Sequence, residues 1–401
     1  MRIAITGRGI VSPIGSGIGA FQEALWAGAS GIRPIARFDT AAFRFKQAGE
    51  ITDFRLRPEL EARESADTAT KFLLNACSEA LQEAEVENAG EEILKDTGVV
   101  LGTNFGGSSS GEKILNAIEG EGVASKRDVR EFIFQTAADH VANAWSLSGP
   151  REVLSLSCSS GTAAICRAAE VLERADASAV LVGGYDAVSP FAWSGLSALR
   201  TMTRGAIQPF DKNRSGTIFS EGAGCMILEP LDKARERGAT IYAEVLGSAT
   251  NNNAFHMTAP SKGGSGSVKV MQAALDDADV APSEVDHINT HGTGTRPNDS
   301  TETEAIKTVF GDHAYEMPIT SIKSMTGHMM GAAGTVETLA AVASLRFGRI
   351  PPTINYSEPD PACDLDVVIN EPREFSGDTV LSNSAGIGGC NAAVLIRKGS
   401  G

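Results

Sequence analysis

Three side chains of the 401-residue chain combine reactive chemistry with a setting that would expose it: Cys158, His291 and His328. Cys158 lies in Leu154-Ser155-Leu156-Ser157-Cys158-Ser159-Ser160-Gly161-Thr162, where a strand pattern turns sharply into a small-residue helix pattern. A thiol at such a turn projects from the C-terminal edge of a sheet, beside the first amides of a helix. Those amides and the helix dipole favour the thiolate, the nucleophilic form. Most free cysteines are small buried residues instead, and Cys77, Cys166 and Cys225, inside apolar helix or strand patterns, read that way. His291 stands in Asn289-Thr290-His291-Gly292-Thr293-Gly294-Thr295 and His328 in Ile322-Lys323-Ser324-Met325-Thr326-Gly327-His328. Both are glycine-bearing loops directly after strand patterns, where a rigid sheet usually places catalytic groups. Ligands at the short spacing of a metal site are missing, so no metal is expected. Among the other histidines, His140, His287 and His313 have no such context, whereas His256 is expected beside a cleft. The glycine loop Gly386-Ile387-Gly388-Gly389-Cys390-Asn391 precedes no helix, so it fits a backbone donor to an oxyanion better than a phosphate cradle. A cysteine, two histidines and Lys323 at strand ends suit thiol-acyl chemistry.

The elements that must hold these loops alternate. Arg2–Thr6 is a β-branched strand pattern that breaks at Gly7-Arg8-Gly9. Helical spacing follows at Thr70–Ala84, Phe132–Trp145 and Ser160–Arg174, and strand patterns at Thr97–Leu101, Glu152–Leu156 and Ser178–Val182. The second half repeats the theme. Strands are expected at Ile241–Leu246, Val285–Asn289, Pro318–Ile322, Thr379–Ser382 and Ala392–Ile396, with helices at Ser267–Ala278, Ser300–Phe310 and Gly331–Leu345. This alternation predicts an α/β fold of parallel βαβ units. The order of elements suggests a duplication, with halves at 1–240 and 241–401, although the halves share no sequence identity.

Composition narrows the class. Apolar residues make up 42% and charged residues 21%, as in a globular chain with a large core. The 43 glycines exceed the usual ~7% and point to many turns and close backbone approaches. A net charge of −15 argues against general affinity for nucleic acid or an anionic membrane. Six cysteines without paired spacing do not form a disulfide framework. The N-terminus enters a strand pattern without a signal-like apolar region, and no apolar run reaches ~18 residues. A cytoplasmic enzyme is the expectation.

Taken together, the motifs resemble those of an elongating β-ketoacyl-acyl carrier protein synthase of the thiolase superfamily. The resemblance runs from Thr6-Gly7-Arg8-Gly9-Ile10-Val11-Ser12-Pro13 to Asn391. It rests on the Cys158 elbow, Pro209-Phe210-Asp211 with Glu221-Gly222-Ala223-Gly224, the His291-Gly-Thr-Gly-Thr loop, and Lys323 through His328. It implies a thiolase-like fold, two similar βαβ-rich halves forming a five-layered α-β-α-β-α core. By resemblance, Cys158 takes an acyl chain as a thioester, and His291 and His328 stabilise the enolate formed as malonyl-carrier protein loses CO2. Lys323 would organise the second histidine, Glu302 would pair with Lys323, and the amides of Cys158 and Ile387 would form the oxyanion hole. Thr293 and Thr295 would contact the phosphopantetheine arm, and Gly111 would stand at the floor of the acyl pocket. No metal or organic cofactor is implied. The expected partners are an acyl carrier protein and a second copy in a homodimer, with a heterodimer with a related ketosynthase subunit as the alternative. Arg204, Lys212 and Arg214 are the candidate docking cations.

The sequence also departs from the family pattern. Ile387 stands where the family usually has phenylalanine, Cys390 replaces threonine, and Ser220 stands where glycine is common. The small run Ser108-Ser109-Ser110-Gly111 replaces larger aliphatics, which predicts a deeper pocket and a more open entrance. Two rival readings remain at this stage: a non-catalytic chain-length-determining partner subunit, and a thiolase-like acyl-CoA condensing enzyme with Cys390 as its second cysteine.

Overall fold

The computed structural model describes residues 1–86 and 91–399. Ten strands make its frame: β1 (Ile3–Ser12), β2 (Thr97–Gly102), β3 (Arg151–Leu154), β4 (Ala179–Asp186), β5 (Gly222–Pro230), β6 (Ala243–Asn252), β7 (His287–Asn289), β8 (Ile319–Thr320), β9 (Thr379–Ala385) and β10 (Cys390–Lys398). They lie side by side in the order β8-β7-β9-β10-β6-β1-β5-β4-β2-β3. A short strand, Gly15–Ser16, pairs with β1.

Divided between β6 and β1, the sheet contains the same plan twice. In each set of five, the third, second and fourth strands in sequence run parallel, and the fifth lies antiparallel between the fourth and the first. The sets join where Ile3–Ile5 of β1 meets Ala243–Val245 of β6. The duplication suggested by the order of elements is thus a repeated topology.

Side-chain alternation then builds the layers. Val100, Val180, Val182, Met226 and Leu228 of the first set face one core together with Val380, Val394 and Ile396 of the second. Between them lie α3 (Ser160–Glu173) and α6 (Ala333–Phe347), buried over most of their length. That burial explains why both are rich in alanine, with four each. The opposite face of the first set packs on α1 (Thr68–Ala84) and α2 (Gln135–Trp145), and that of the second on α4 (Ser265–Ala278) and α5 (Arg296–Phe310). Five layers result, α-β-α-β-α.

The structure corrects two boundaries. β1 does not stop at Gly7-Arg8-Gly9 but continues to Ser12. Those glycines let α1 approach: a Cβ on Gly7 would lie 2.1 Å from the Ala80 carbonyl, and one on Gly9 1.9 Å from that of Ala76. Gly247 on β6 does the same against Ala274 of α4. The helix expected from Phe132 to Trp145 is two helices, Lys126–Phe132 and α2, broken where Ile133 turns to an extended conformation. Among the described residues, no helix is long and apolar enough to cross a membrane.

Candidate active site

β3 leads into the elbow. Ser157 there has φ 55°, a left-handed conformation unusual for a residue with a Cβ, costing on the order of 1 kcal/mol. The turn is held by the amide of Ser159 on the Leu156 carbonyl and that of Ser160 on the Ser157 carbonyl. Ser160 Oγ also accepts the Leu156 amide (2.8 Å). Cys158 is left at the mouth of α3, only 5% exposed. Burial pushes its thiol up, against the Ser157 hydroxyl, the Ile387 amide and the charge of Lys323, which favour the thiolate. The resting group is therefore a thiol, not the thiolate that the helix N-terminus alone led us to expect. The Ile387 backbone is among the groups that oppose that rise, and Ile387 lines the same cavity as Cys158.

The two histidines come from the second half. His291 follows β7, and its loop is pinned by Glu302 of α5. Glu302 accepts the amides of His291 (2.7 Å) and Gly292 (2.8 Å) and the Asn383 side chain (2.7 Å). His328 is strung between residues of the first half: its amide donates to the Ile218 carbonyl, and its carbonyl accepts the Ser220 amide. Its Nδ1 accepts the Met330 amide (3.2 Å), which places the ring proton on Nε2. The two rings stand 5.5 Å apart, nearly perpendicular at 85°. Burial, followed by the charge of Lys323, drives both well below the usual histidine range. Both are therefore neutral donors near pH 7 rather than imidazolium acids.

Lys323 is fully buried, and its ammonium bonds to Glu337 of α6. This corrects the expected Lys323–Glu302 pair: Glu302 serves the loop amides, and Glu337 is the ion partner. Burial raises Glu337 to about 7, the Lys323 charge opposing that shift.

Cys158, His291, His328, Phe219, Thr293, Thr295, Glu302 and Ile387 all line one cavity of about 600 Å³. Thr293 and Thr295 share a hydroxyl bond (2.9 Å) on its wall. Gly111 does not line it. The space where its Cβ would stand is filled by the Phe132 ring (2.6 Å), so the small run at 108–111 leaves no deeper floor there. His256 is exposed and accepts the Thr258 and Ala259 amides on its Nδ1; the residues just after it, Thr258–Ser261, line the cavity in its place. Cys390 lies outside the lining. The expected docking cations are placed differently. Arg214 is 2% exposed and bound to Asp360 and Asp299, which removes it from the surface, whereas Lys212 is exposed and pairs there with Glu358. Arg204 stays exposed and shares a shallow pocket with Arg44 and Lys46.

Chemically, the site offers a thiol and two neutral imidazoles facing the same space, with the Ile387 loop in its wall. Such a set can hold an acyl thioester and stabilise an oxyanion or enolate beside it.

Known proteins resemble the chain along its full length. Residues 1–234 match the family model described as "Beta-ketoacyl synthase, N-terminal domain", and residues 242–357 its "C-terminal domain". A protein of Coxiella burnetii named 3-oxoacyl-[acyl-carrier-protein] synthase 2 is 39% identical over 99% of this chain and 98% of its own length. A protein of the same name from Staphylococcus aureus is 36% identical over equal shares. Among solved structures, the ishigamide ketosynthase/chain length factor has a TM-score of 0.92 at 33% identity, covering 100% of this chain and 99% of that one. A type II polyketide ketosynthase in complex with its acyl-carrier protein has a TM-score of 0.91 at 30% identity, with the same coverage.

Proposed function

Because the chain belongs to the β-ketoacyl synthase family, we propose that it condenses an acyl group held on Cys158 with malonyl-acyl carrier protein. Cys158 Sγ attacks the incoming acyl thioester, the carbon–sulfur bond to the carrier breaks, and the carrier leaves as its thiol. Malonyl-carrier protein then binds, its bond to the carboxylate breaks, and CO2 departs. The electron pair stays as an enolate whose oxygen accepts from His291 and His328. The enolate carbon attacks the acyl carbonyl, whose oxyanion is held by the amides of Cys158 and Ile387. The bond to Cys158 breaks, the sulfur regains a proton, and a β-ketoacyl-carrier protein two carbons longer is released. Neutral imidazoles suit this step because they donate without protonating the enolate carbon. The chemistry calls for no metal or organic cofactor of the protein's own; the substrates ride on the carrier's phosphopantetheine, along Thr293 and Thr295.

The single observation that carries this reading is one cavity lined by Cys158, Ile387 and two neutral histidines. Intact-mass measurement tests it. Incubation with an acyl-carrier protein should add the acyl mass to the wild type and not to Cys158→Ala, while Cys158→Gln should still decarboxylate malonyl-carrier protein. Acylation of the alanine variant at another cysteine would overturn the assignment. An idle partner subunit would lack the nucleophile, and a two-cysteine thiolase scheme would bring Cys390 into the cavity.

The carrier docks, in this proposal, on Arg44, Lys46 and Arg204, exposed cations at the far end of the Arg200–Arg204 segment whose start lines the cavity. Pairing is with a second copy in a cytoplasmic homodimer. β3 ends the sheet with one edge open, and exposed Ile118, Val123, Phe132 and Ile133 are apolar residues of the connection leading from β2 to it. Light scattering at low micromolar concentration that gives 41.8 kDa would refute the dimer.

A further inference from the structure

β4 ends on Asp186, a fully buried carboxylate at the back of the site. Four donors converge on it: Thr103 Oγ1 (2.8 Å) and the amides of Asn104 (2.9 Å), Phe105 (2.9 Å) and Gly331 (2.7 Å). The first three belong to the loop after β2, which touches the elbow where Ser160 Oγ lies 3.3 Å from the Thr103 carbonyl. The fourth belongs to the turn after His328.

That turn is under strain. Met330 has φ 53°, a left-handed conformation for a fully buried residue with a long side chain. The amide of Met330 is the donor to His328 Nδ1. The next residue must be glycine, since a Cβ on Gly331 would lie 2.6 Å from Thr103 Cα and 2.8 Å from the Asn104 nitrogen. The turn is thus pressed onto the loop 103–105, and one carboxylate accepts from both sides of the contact.

We propose that Asp186 is a positioning residue for decarboxylation: its carboxylate holds the Met330–Gly331 turn in its left-handed form. Through the Met330 amide, it keeps the His328 proton on Nε2, facing the cavity. This rests on the reaction proposed above. Burial raises Asp186 to about 6, and the backbone amides and Thr103 oppose that shift, so the carboxylate is ionised at pH 8. The same charge raises the Cys158 thiol. Removing it should therefore impair the histidine while leaving the thiol as reactive or more so. General loosening of the site would impair both.

Asp186→Asn keeps the size but presents an NH2 to the amides it now accepts. At pH 8, its kcat for decarboxylating a malonyl-pantetheine thioester should fall about tenfold or more, the loss expected of a misaimed donor. KM should stay within about twofold, and the rate of Cys158 alkylation by iodoacetamide should hold or rise. If the asparagine variant does not fold, Asp186→Glu carries the same test with a loss of about three- to tenfold, since the charge is kept but displaced. A second readout does not need turnover. In 15N-histidine-labelled protein, His328 Nδ1 should resonate as a bare acceptor in the wild type and as a mixture of tautomers in the variant. Wild-type kcat in a folded variant, or equal losses of decarboxylation and alkylation, would overturn the proposal. A wild type that fails to decarboxylate would overturn the reaction instead, leaving the clamp to the nitrogen spectrum.

Discussion

The crossing of α3 and α6 is a close contact between the two halves, and Gly334→Ala tests what it holds. A Cβ at position 334 would lie 2.1 Å from Thr162 Oγ1 and 2.4 Å from the Thr162 nitrogen, against 3.4–4 Å for ordinary contact. One of these atoms is backbone, and the other sits on a β-branched side chain with a stiff χ1, so neither yields by a simple rotation. The helices must separate by roughly 1 Å, a gap wide enough to forfeit much of their dispersion contact. Alanine in a helix gains about 1 kcal/mol over glycine. Overpacking of a matched core costs about 1–3 kcal/mol, and backbone contact places this case at the upper end or beyond. The net expectation is a loss of about 2 kcal/mol, which is about 4 °C in Tm for a chain of this size. Gly195→Ala is the control. It lies inside the helix Pro190–Ala198 with nothing within 4 Å of the added carbon, and should gain about 0.5–1 kcal/mol. Thermal unfolding of both variants at one scan rate, followed by circular dichroism, checks the pair. A Gly334→Ala midpoint at or above that of the wild type would refute the claim that the crossing has no room.

Three further outcomes are expected. Ile387→Phe places a larger ring beside Cys158 and should slow acylation by long or rigid acyl thioesters more than by short ones, read from acylation rates across a chain-length series. Gly111→Ile meets the Phe132 ring rather than the cavity, so it should lower Tm and leave the chain-length profile unchanged; a shortened profile would restore Gly111 to the pocket floor. His287 is buried with its Nδ1 bonded to the Pro318 carbonyl, and burial lowers it to about 4. Its folded pKa lies below its unfolded value of about 6.5, so stability is complete above 6.5 and is lost as pH falls toward 4. About 2 kcal/mol should go between pH 7 and pH 5, by urea titration, and a His287→Gln variant should lack that part of the slope.

Much of this was legible in the residues. Cys158, His291 and His328 each follow a strand pattern and stand among glycines or serines, so one chemical group per loop could be read directly. The repeated order of elements was visible for the same reason, since most of the strand patterns are apolar and alternate with helix patterns. What the sequence hid was pairing across distance. Glu337 is a lone carboxylate in a helix of small and apolar residues, and only the packing of α6 beneath Lys323 makes it the partner. Arg214 looked like a surface cation because nothing local shows that Asp299 and Asp360 enclose it. Gly7 and Gly9 read as a strand break, since a glycine that ends a strand and one that admits a helix look alike. Asp186 gave no signal either, because its four donors come from segments more than 80 residues before it and 145 after it.

The repeated plan divides the chemistry between two inheritances. In the first half, the helix that follows the third strand opens on a left-handed Ser157 and presents the thiol; in the second, the segment after the third strand passes through a left-handed Met330 and presents His328. In the proposed condensation, the corresponding turns of a duplicated architecture would supply opposite partners of one carbon–carbon bond, electrophile-bearer and nucleophile-stabiliser. His291, Lys323, Glu337 and Ile387 all belong to the second half with His328. In that proposal the complete condensation needs both halves, because the loaded acyl group and the enolate meet only where the two are docked. Chimeras that exchange 1–240 between related synthases should accordingly move Cys158 and its elbow together with Ile218, Ser220 and Asp186, which hold His328 and the turn after it. His291, His328, Lys323 and Ile387 would remain with whichever parent supplies the rest.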